Sequence, residues 1–96
     1  MNHLIINAIS NKKLVRFNYN DLTRVVEPHC YCNTVKGDEA LRACQVGGNS
    51  STGLPGWKLF HLSKIGSIQI LDENFNDARP DYKPGDKGMQ VIYIEI

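Results

Sequence analysis

The sequence predicts a small, mainly β domain, a barrel of five to six short strands with a short N-terminal helix. Three observations support this fold class. Apolar residues recur first at helical spacing and then alternate with polar residues along most of the chain. Turn-forming residues separate the alternating runs at short intervals, which favours sequential hairpins. The chain has 96 residues, which suits one domain with one modest core.

The first element is a helix over about residues 2–11, and residues 1–12 are assigned to it. Asn2 is a candidate N-cap, because a short polar side chain before an apolar stripe satisfies the free amides of a first turn. The stripe itself has helical spacing and consists of Leu4, Ile5, Ala8 and Ile9. Residues 13–71 then form the barrel strands.

Period-two alternation places these strands at residues 14–19, 23–32, 40–46, 57–62 and 67–71. Asn20-Asp21 and Lys36-Gly37-Asp38 are predicted turns. Pro28 lacks a backbone donor, so we expect an edge or a bulge at that position. On the second strand, strict alternation puts Val26, Cys30 and Cys32 on one side and Tyr31 on the other.

The remaining segments are connections and one closing strand. Residues 47–56 carry four glycines and one proline, and they form either a long hairpin connection or a mobile lid. Residues 72–96 form a polar connection followed by a closing strand over residues 90–96. Within that connection, Arg79 and Tyr82 either fold over a site or belong to a surface crossing. The whole chain, residues 1–96, is predicted to be a single domain.

Charge and composition limit the classes of function. The net charge is +1, but the first 71 residues carry +4 and the last 25 carry −3. The basic part suits an anionic ligand, whereas the whole chain lacks the strong positive charge of a general nucleic-acid coating protein. No apolar run approaches the roughly 18 residues of a membrane span, and the start does not resemble a signal peptide. We therefore expect no membrane association.

The cysteines and histidines offer little support for catalysis or metal binding. Cys44 with His61 is a conceivable nucleophile and base, yet nothing in their spacing favours that pair over a buried structural thiol. Cys30 and Cys32 lack the second ligand pair of a tetrahedral zinc site. We predict no enzyme, no metal and no cofactor. Three cysteines without a secretion signal predict reduced thiols and a cytoplasmic location.

Cationic and aromatic residues at strand positions are the best candidates for a binding site. Arginine forks suit phosphates, and aromatic faces suit bases. For Trp57 and Phe60, core packing is the better interpretation. The residues predicted to bind ligand are Tyr19, Arg24, Arg42, Lys58, His61, Ser63 and Lys64. Arg24, Arg42 and Lys64 are expected to contact phosphates, with Tyr19 or His61 against a base.

An ordered series of short motifs resembles the WYL family of ligand-sensing domains. The series comprises an aromatic-Tyr strand, an Arg-x-x-Glu-Pro segment, a further strand, a Phe-Arg-Leu-Asp-Arg-Ile segment and a trailing Phe. The matching segments are Phe17-Asn18-Tyr19, Arg24-Val25-Val26-Glu27-Pro28, Leu41-Arg42-Ala43, Phe60-His61-Leu62-Ser63-Lys64-Ile65 and Phe75. The similarity covers about residues 2–76. His61 and Lys64 stand where the family has arginines, and the tripeptide that names the family appears as Glu39-Ala40-Leu41.

The resemblance implies an Sm-like, SH3-type barrel without the helix-turn-helix domain that many WYL regulators carry. It also implies a non-enzymatic regulatory module that binds a nucleotide or single-stranded nucleic acid, in a bacterial or phage defence or regulatory setting. Its protein partner would be a separate effector. The alternative is a protein-interaction or homo-oligomerisation module that uses exposed barrel edges, above all the strand over residues 90–96, and binds no small ligand.

Overall fold

A computed structural model describes residues 2–49, 53–82 and 89–96, and it is mainly β with one short helix. The mainly β prediction and the N-terminal helix are therefore confirmed. The elements in chain order are α1 (His3–Ser10), β1 (Lys13–Tyr19), β2 (Leu22–Thr34), β3 (Glu39–Gly48), β4 (Gly56–His61), a 3₁₀ turn (Leu62–Lys64), β5 (Ile65–Asn74) and β6 (Met89–Glu95).

Helix α1 is capped as predicted and docks on the sheet. The side chain of Asn2 accepts a hydrogen bond from the amide of Ile5 at 3.2 Å. The hydroxyl of the buried Tyr31 accepts from the Asn2 amide at 2.8 Å and donates to Glu39 at 2.5 Å. Burial is the main cause that raises the pKa of Tyr31 to about 12. The helix buries Ile5, Ala8 and Ile9.

The sheet is antiparallel, with the strand order β4-β3-β2-β1-β5 and with β6 paired to the far end of β2. Asn20 and Asp21 make the first hairpin turn at positive φ values of 53° and 61°, as a two-residue turn with right-handed twist requires. No pairing joins β4 to β5 among the described residues, so the sheet is not closed into a barrel. The predicted closure fails because these two edge strands meet only at the turn Leu62–Lys64.

Pro28 lies at a β-bulge, as its missing amide predicts. The register between β2 and β3 shifts between Pro28 and Cys30, and the side of the sheet to which each residue points then reverses. Val26 and Tyr31 consequently share the main core, while Cys30 and Cys32 belong to a second cluster on the opposite side. The strict alternation predicted for this strand is therefore wrong beyond Pro28.

The sheet has a core-facing side and an outer side. The core-facing side packs against α1 and buries aromatic and aliphatic residues, chiefly Val15, Phe17, Val26, Tyr31, Leu41 and Phe60. The outer side of β2, β3 and β4 carries the small second cluster around Cys30, Cys32 and Ala40. Residues 75–82, here called the strap, lie against this outer side and contact it through Phe75, Arg79 and Tyr82. Part of the predicted polar connection is therefore packed structure.

No helix in the described ranges is long enough and apolar enough to cross a membrane. Residues 50–52 of the predicted loop, and residues 83–88 of the predicted connection, lie outside the part of the chain that the structure describes.

The close approach of β3 to β2 at Gly48 gives the first prediction. Gly48 has a φ of 79°, and a Cβ placed there would lie 2.2 Å from the carbonyl oxygen of Thr23. We expect Gly48→Ala to lower the free energy of unfolding by about 2 kcal/mol or more, because strain and a backbone clash add together. Gly37→Ala is the matched control, since Gly37 has a φ of 89° and no atom within 4 Å of the added Cβ. Urea denaturation of both variants measures the difference, and equal losses would contradict the assigned clash.

Candidate functional site

Arg24 is a buried cation on β2. It lies on the core-facing side of β2, opposite Phe17 on β1, and is only 8% exposed. Its Nη1 donates to the side-chain oxygen of Gln45 at 3.2 Å, and its Nε is buried without a hydrogen-bond partner. Within the described residues, no carboxylate forms an ion pair with it. An unpaired buried charge is costly, and such a group calls for a physical explanation.

Gln45 connects Arg24 to the end of β3. The Gln45 side chain is fully buried, with its oxygen accepting from Arg24 and its nitrogen donating to the carbonyls of Gly47 and Asn49 at 2.9 Å each. The amide of Asn49 in turn donates to the carbonyl of Thr23 at 2.7 Å. Every polar atom of the Gln45 amide group therefore has a partner. Gln45 positions both the guanidinium and the adjoining backbone.

Tyr19 and Lys58 lie on the same core-facing side as Arg24. The guanidinium carbon of Arg24 stands 5.9 Å from the centroid of the Tyr19 ring, within cation–π range. The Tyr19 hydroxyl accepts from the backbone amide of His61 at 3.2 Å. Lys58 is half-buried and pairs with Ala43, two positions before the buried Phe60, so strand alternation puts it on the core-facing side. Three of the predicted ligand-binding residues thus share this side.

Arg42 and His61 lie on the outer side of the sheet. Arg42 is flanked by Cys30 on β2 and Leu59 on β4, both of which belong to the second cluster. The structure therefore separates Arg42 from Arg24 by the thickness of the sheet. One phosphate cannot contact both arginines in this arrangement.

His61 forms a dyad with Asp38. Its Nδ1 lies 2.7 Å from one Asp38 oxygen, and the hydroxyl of Thr34 donates to the other at 2.5 Å. The Thr34 hydrogen bond, followed by His61, lowers the pKa of Asp38 below its ordinary value. The dyad borders a shallow groove of about 240 Å³ lined by Thr34, Val35, Lys36, Leu59 and His61. Ser63 and Lys64 are exposed on the turn that follows β4.

His29 holds the strap to β2. Its Nδ1 donates to the carbonyl of Glu27 at 2.8 Å, and its Nε2 accepts from the backbone amide of Arg79 at 3.2 Å. Because the Arg79 amide can only donate, the hydrogen-bond network assigns the proton of a neutral His29 to Nδ1. Burial lowers the pKa of this fully buried histidine. The side chain of Arg79 also donates two hydrogen bonds to the carboxylate of Glu27, from Nε at 2.8 Å and from Nη2 at 3.3 Å.

Aromatic residues fill the space between the strap and the sheet. The His29 ring lies 4.8 Å from Trp57, 5.0 Å from Tyr82 and 5.4 Å from Phe75 between ring centroids. The indole nitrogen of Trp57 donates to Asp81 of the strap at 2.7 Å. Trp57 is half-buried and belongs to neither core cluster, so the predicted core packing holds for Phe60 and not for Trp57. These aromatic faces are already engaged by the protein itself.

The thiols are buried, and Cys44 lies well separated from His61 along the sheet. Cys44 pairs with Trp57 and His61 pairs with Ala40, four residues away along β3, which corresponds to about 13 Å. Burial is the main cause that raises the pKa of Cys44, which disfavours the nucleophilic thiolate. Among the residues that the structure describes, no cluster of three or more ligands suited to a metal ion occurs.

Comparisons with protein-family models, curated proteins and solved structures find no match to this chain. The resemblance to WYL domains therefore stays a prediction.

Sequence reasoning missed Gln45 and the strap contacts. Gln45 occupies the position after Leu41 and Ala43 in the core-facing alternation of β3, and a lone amide in such a series was the available signal. The contacts of His29 with Arg79 had no comparable signal, because they join residues 50 positions apart in the chain.

The lowered pKa of His29 gives a prediction for pH dependence. Unfolded His29 binds a proton more readily than folded His29, so the free energy of unfolding should decrease as the pH falls below about 6.5. Asp38 and Asp77 have lowered pKa values and contribute only near or below 3.8, outside this window. Urea denaturation between about pH 5 and pH 8 measures the slope. His29→Gln should flatten it, and an unchanged slope in that variant would refute the assignment.

Proposed function

We propose that this protein is a non-enzymatic ligand-binding module that recognises a nucleotide or single-stranded nucleic acid through a phosphate held by Arg24. The observation that carries the proposal is the buried Arg24 guanidinium, whose Nε has no partner and which has no acidic neighbour in the described ranges. A buried charge without a counter-ion lowers the free energy of unfolding by roughly several kcal/mol. A phosphate would supply the missing negative charge, and its oxygens suit the arginine fork.

The neighbours of Arg24 fit this role. Tyr19 flanks the guanidinium with an aromatic ring, and Lys58 brings a second basic side chain to the same side of the sheet. Arg42 and His61 lie on the outer side of the sheet, so they do not contact a phosphate held by Arg24. Ser63 and Lys64 stay candidates for the more distant parts of a ligand.

We also propose a relationship to the WYL-like domains and to the Sm-like, SH3-type barrel class. The order of the motifs supports it. Tyr19 packs on Phe60 of β4 and pairs with Ile65 of β5, so both edge strands border the same core. The sheet then corresponds to an opened barrel. Three cysteines outside any disulfide support a reducing, cytoplasmic setting. A regulatory role beside a separate effector fits a module of this kind.

Arg24→Met separates binding from stability. We expect affinity for adenosine monophosphate to fall by about tenfold to a hundredfold, because charge-assisted hydrogen bonds of about 1.5–3 kcal/mol are lost. The free energy of unfolding should change by no more than about 1 kcal/mol, since removal of a buried unpaired charge offsets the loss of the bond to Gln45. Isothermal titration calorimetry and urea denaturation measure the two quantities.

The matched control is Arg16→Met. Arg16 lies exposed on β1 and donates to Gln69 on β5, so it shares the sheet with Arg24 but not its side or its burial. Binding that is unchanged in Arg24→Met, or weakened equally in both variants, would exclude Arg24 as the phosphate ligand.

A second candidate function is self-association through the edge of β6. One edge of β6 pairs with β2, and its other edge pairs with no strand among the described residues. Val91 and Ile92 on this strand are 48% and 37% exposed. An exposed apolar edge strand is a ready template for pairing with another chain.

Ile92→Lys tests this candidate, because a charge on an edge strand opposes pairing. If β6 mediates self-association, sedimentation velocity should show a dimer or larger assembly for the native chain and a monomer for the variant. Leu4→Lys is the control, since Leu4 is 47% exposed but lies on the helix α1 and on no strand edge. A native chain that is monomeric at every concentration would remove this candidate.

A further inference from the structure

The donor groups of Arg24 point to a restricted mode of approach. Nη1 donates to Gln45, and the guanidinium carbon lies 5.9 Å from the centroid of the Tyr19 ring, which leaves the edge formed by Nε and Nη2 for a ligand. Because Nε is buried and the side chain is 8% exposed, a ligand must extend inward to reach that edge.

Close packing and hydrogen bonds fix the backbone beside Arg24. Gly48 packs so closely against Thr23 that a Cβ has no room, and Asn49 is hydrogen-bonded to the Thr23 carbonyl at 2.7 Å. Gln45 fixes the carbonyls of Gly47 and Asn49 from the inside. The end of β3 is thus tied to β2 next to the guanidinium.

Among the described residues, the aromatic rings on the outer side of the sheet are not open to the bases of an extended strand either. Proteins that bind single strands along a sheet present exposed aromatic faces on which successive bases stack. Here the rings of His29, Trp57 and Tyr82 pack against one another in T-shaped and tilted arrangements, and Trp57 also donates to Asp81. The aromatic residues of β2 and β4 on that side are therefore occupied within the protein.

We propose that Arg24 takes a terminal phosphate, the monoester of a mononucleotide or of the 5′ end of a strand, and not a diester within a strand. This inference rests on the proposed function and names its ligand class. A terminal monoester has one substituent and can enter end-on, whereas an internal diester has a chain on both sides. The monoester also carries more negative charge, about −1.5 to −2 at neutral pH, to offset the buried guanidinium.

Competition binding with matched probes tests the inference. A short oligothymidylate would be compared in three forms, with a 5′ phosphate, with a 5′ hydroxyl and as a closed circle, each displacing a fluorescent nucleotide in an anisotropy assay. We expect the phosphorylated form to bind at least about tenfold more tightly than the other two. Adenosine monophosphate and inorganic phosphate as further competitors distinguish a nucleotide from a free anion, and inorganic phosphate competing as well as the nucleotide would overturn the nucleotide assignment.

Two variants connect the preference to Arg24. Arg24→Gln should abolish the advantage of the 5′ phosphate, and Arg24→Lys should retain only part of it, because lysine keeps the charge but loses the fork. The lysine variant keeps the test decisive should the glutamine variant fail to fold. If the circle binds as tightly as the phosphorylated strand and Arg24→Gln weakens both, the terminal-phosphate inference is wrong and the proposed function stands. If no probe binds, or Arg24→Gln and Arg24→Lys change nothing, the proposed function itself is wrong.

Discussion

Backbone pairing along β2 is the interaction on which the rest of the structure depends. This strand bonds to β1, β3 and β6, so three of the five other strands take their register from it. The bulge at Pro28 divides it into two halves whose in-and-out alternation is offset by one residue. The first half places Arg24 among core residues, and the second half turns Cys30 and Cys32 toward the outer cluster. A single interrupted strand therefore builds both layers of a small domain.

The positions of the strands were predictable because their signals are local. Alternation in β1 and the Asn20-Asp21 turn depend on neighbouring residues, and the structure has both. Alternation could not predict the side of the sheet to which each residue after Pro28 points. The bulge adds one unpaired residue to β2, and this reverses the side of every residue that follows it. Closure of the sheet depends on how two distant strands meet, and no local pattern in β4 or β5 specifies that.

The candidate site shows the same difference between what local sequence predicts and what strand pairing decides. Arg24 and Tyr19 were predicted from residue type, and the structure brings them within cation–π range of each other. Arg42 was grouped with them for the same reason, but its register with Cys30 places it across the sheet. Residue type indicates what a side chain can bind, whereas the side it occupies follows from strand pairing. The burial of Arg24 conflicts with the usual preference for apolar cores, and such conflicts are expected at functional or strained positions.

The strap has a consequence for how the molecule opens. Its contacts join residues far apart in sequence, such as Arg79 with Glu27 across 52 positions, so they can form only after the sheet has assembled. Local opening that releases the strap would leave the sheet and α1 in place, yet it would uncover Cys30 and Cys44 on the outer side. Thiol labelling under native conditions would then report strap release separately from global unfolding. The rate at which the buried cysteines are labelled would then measure how often the strap opens.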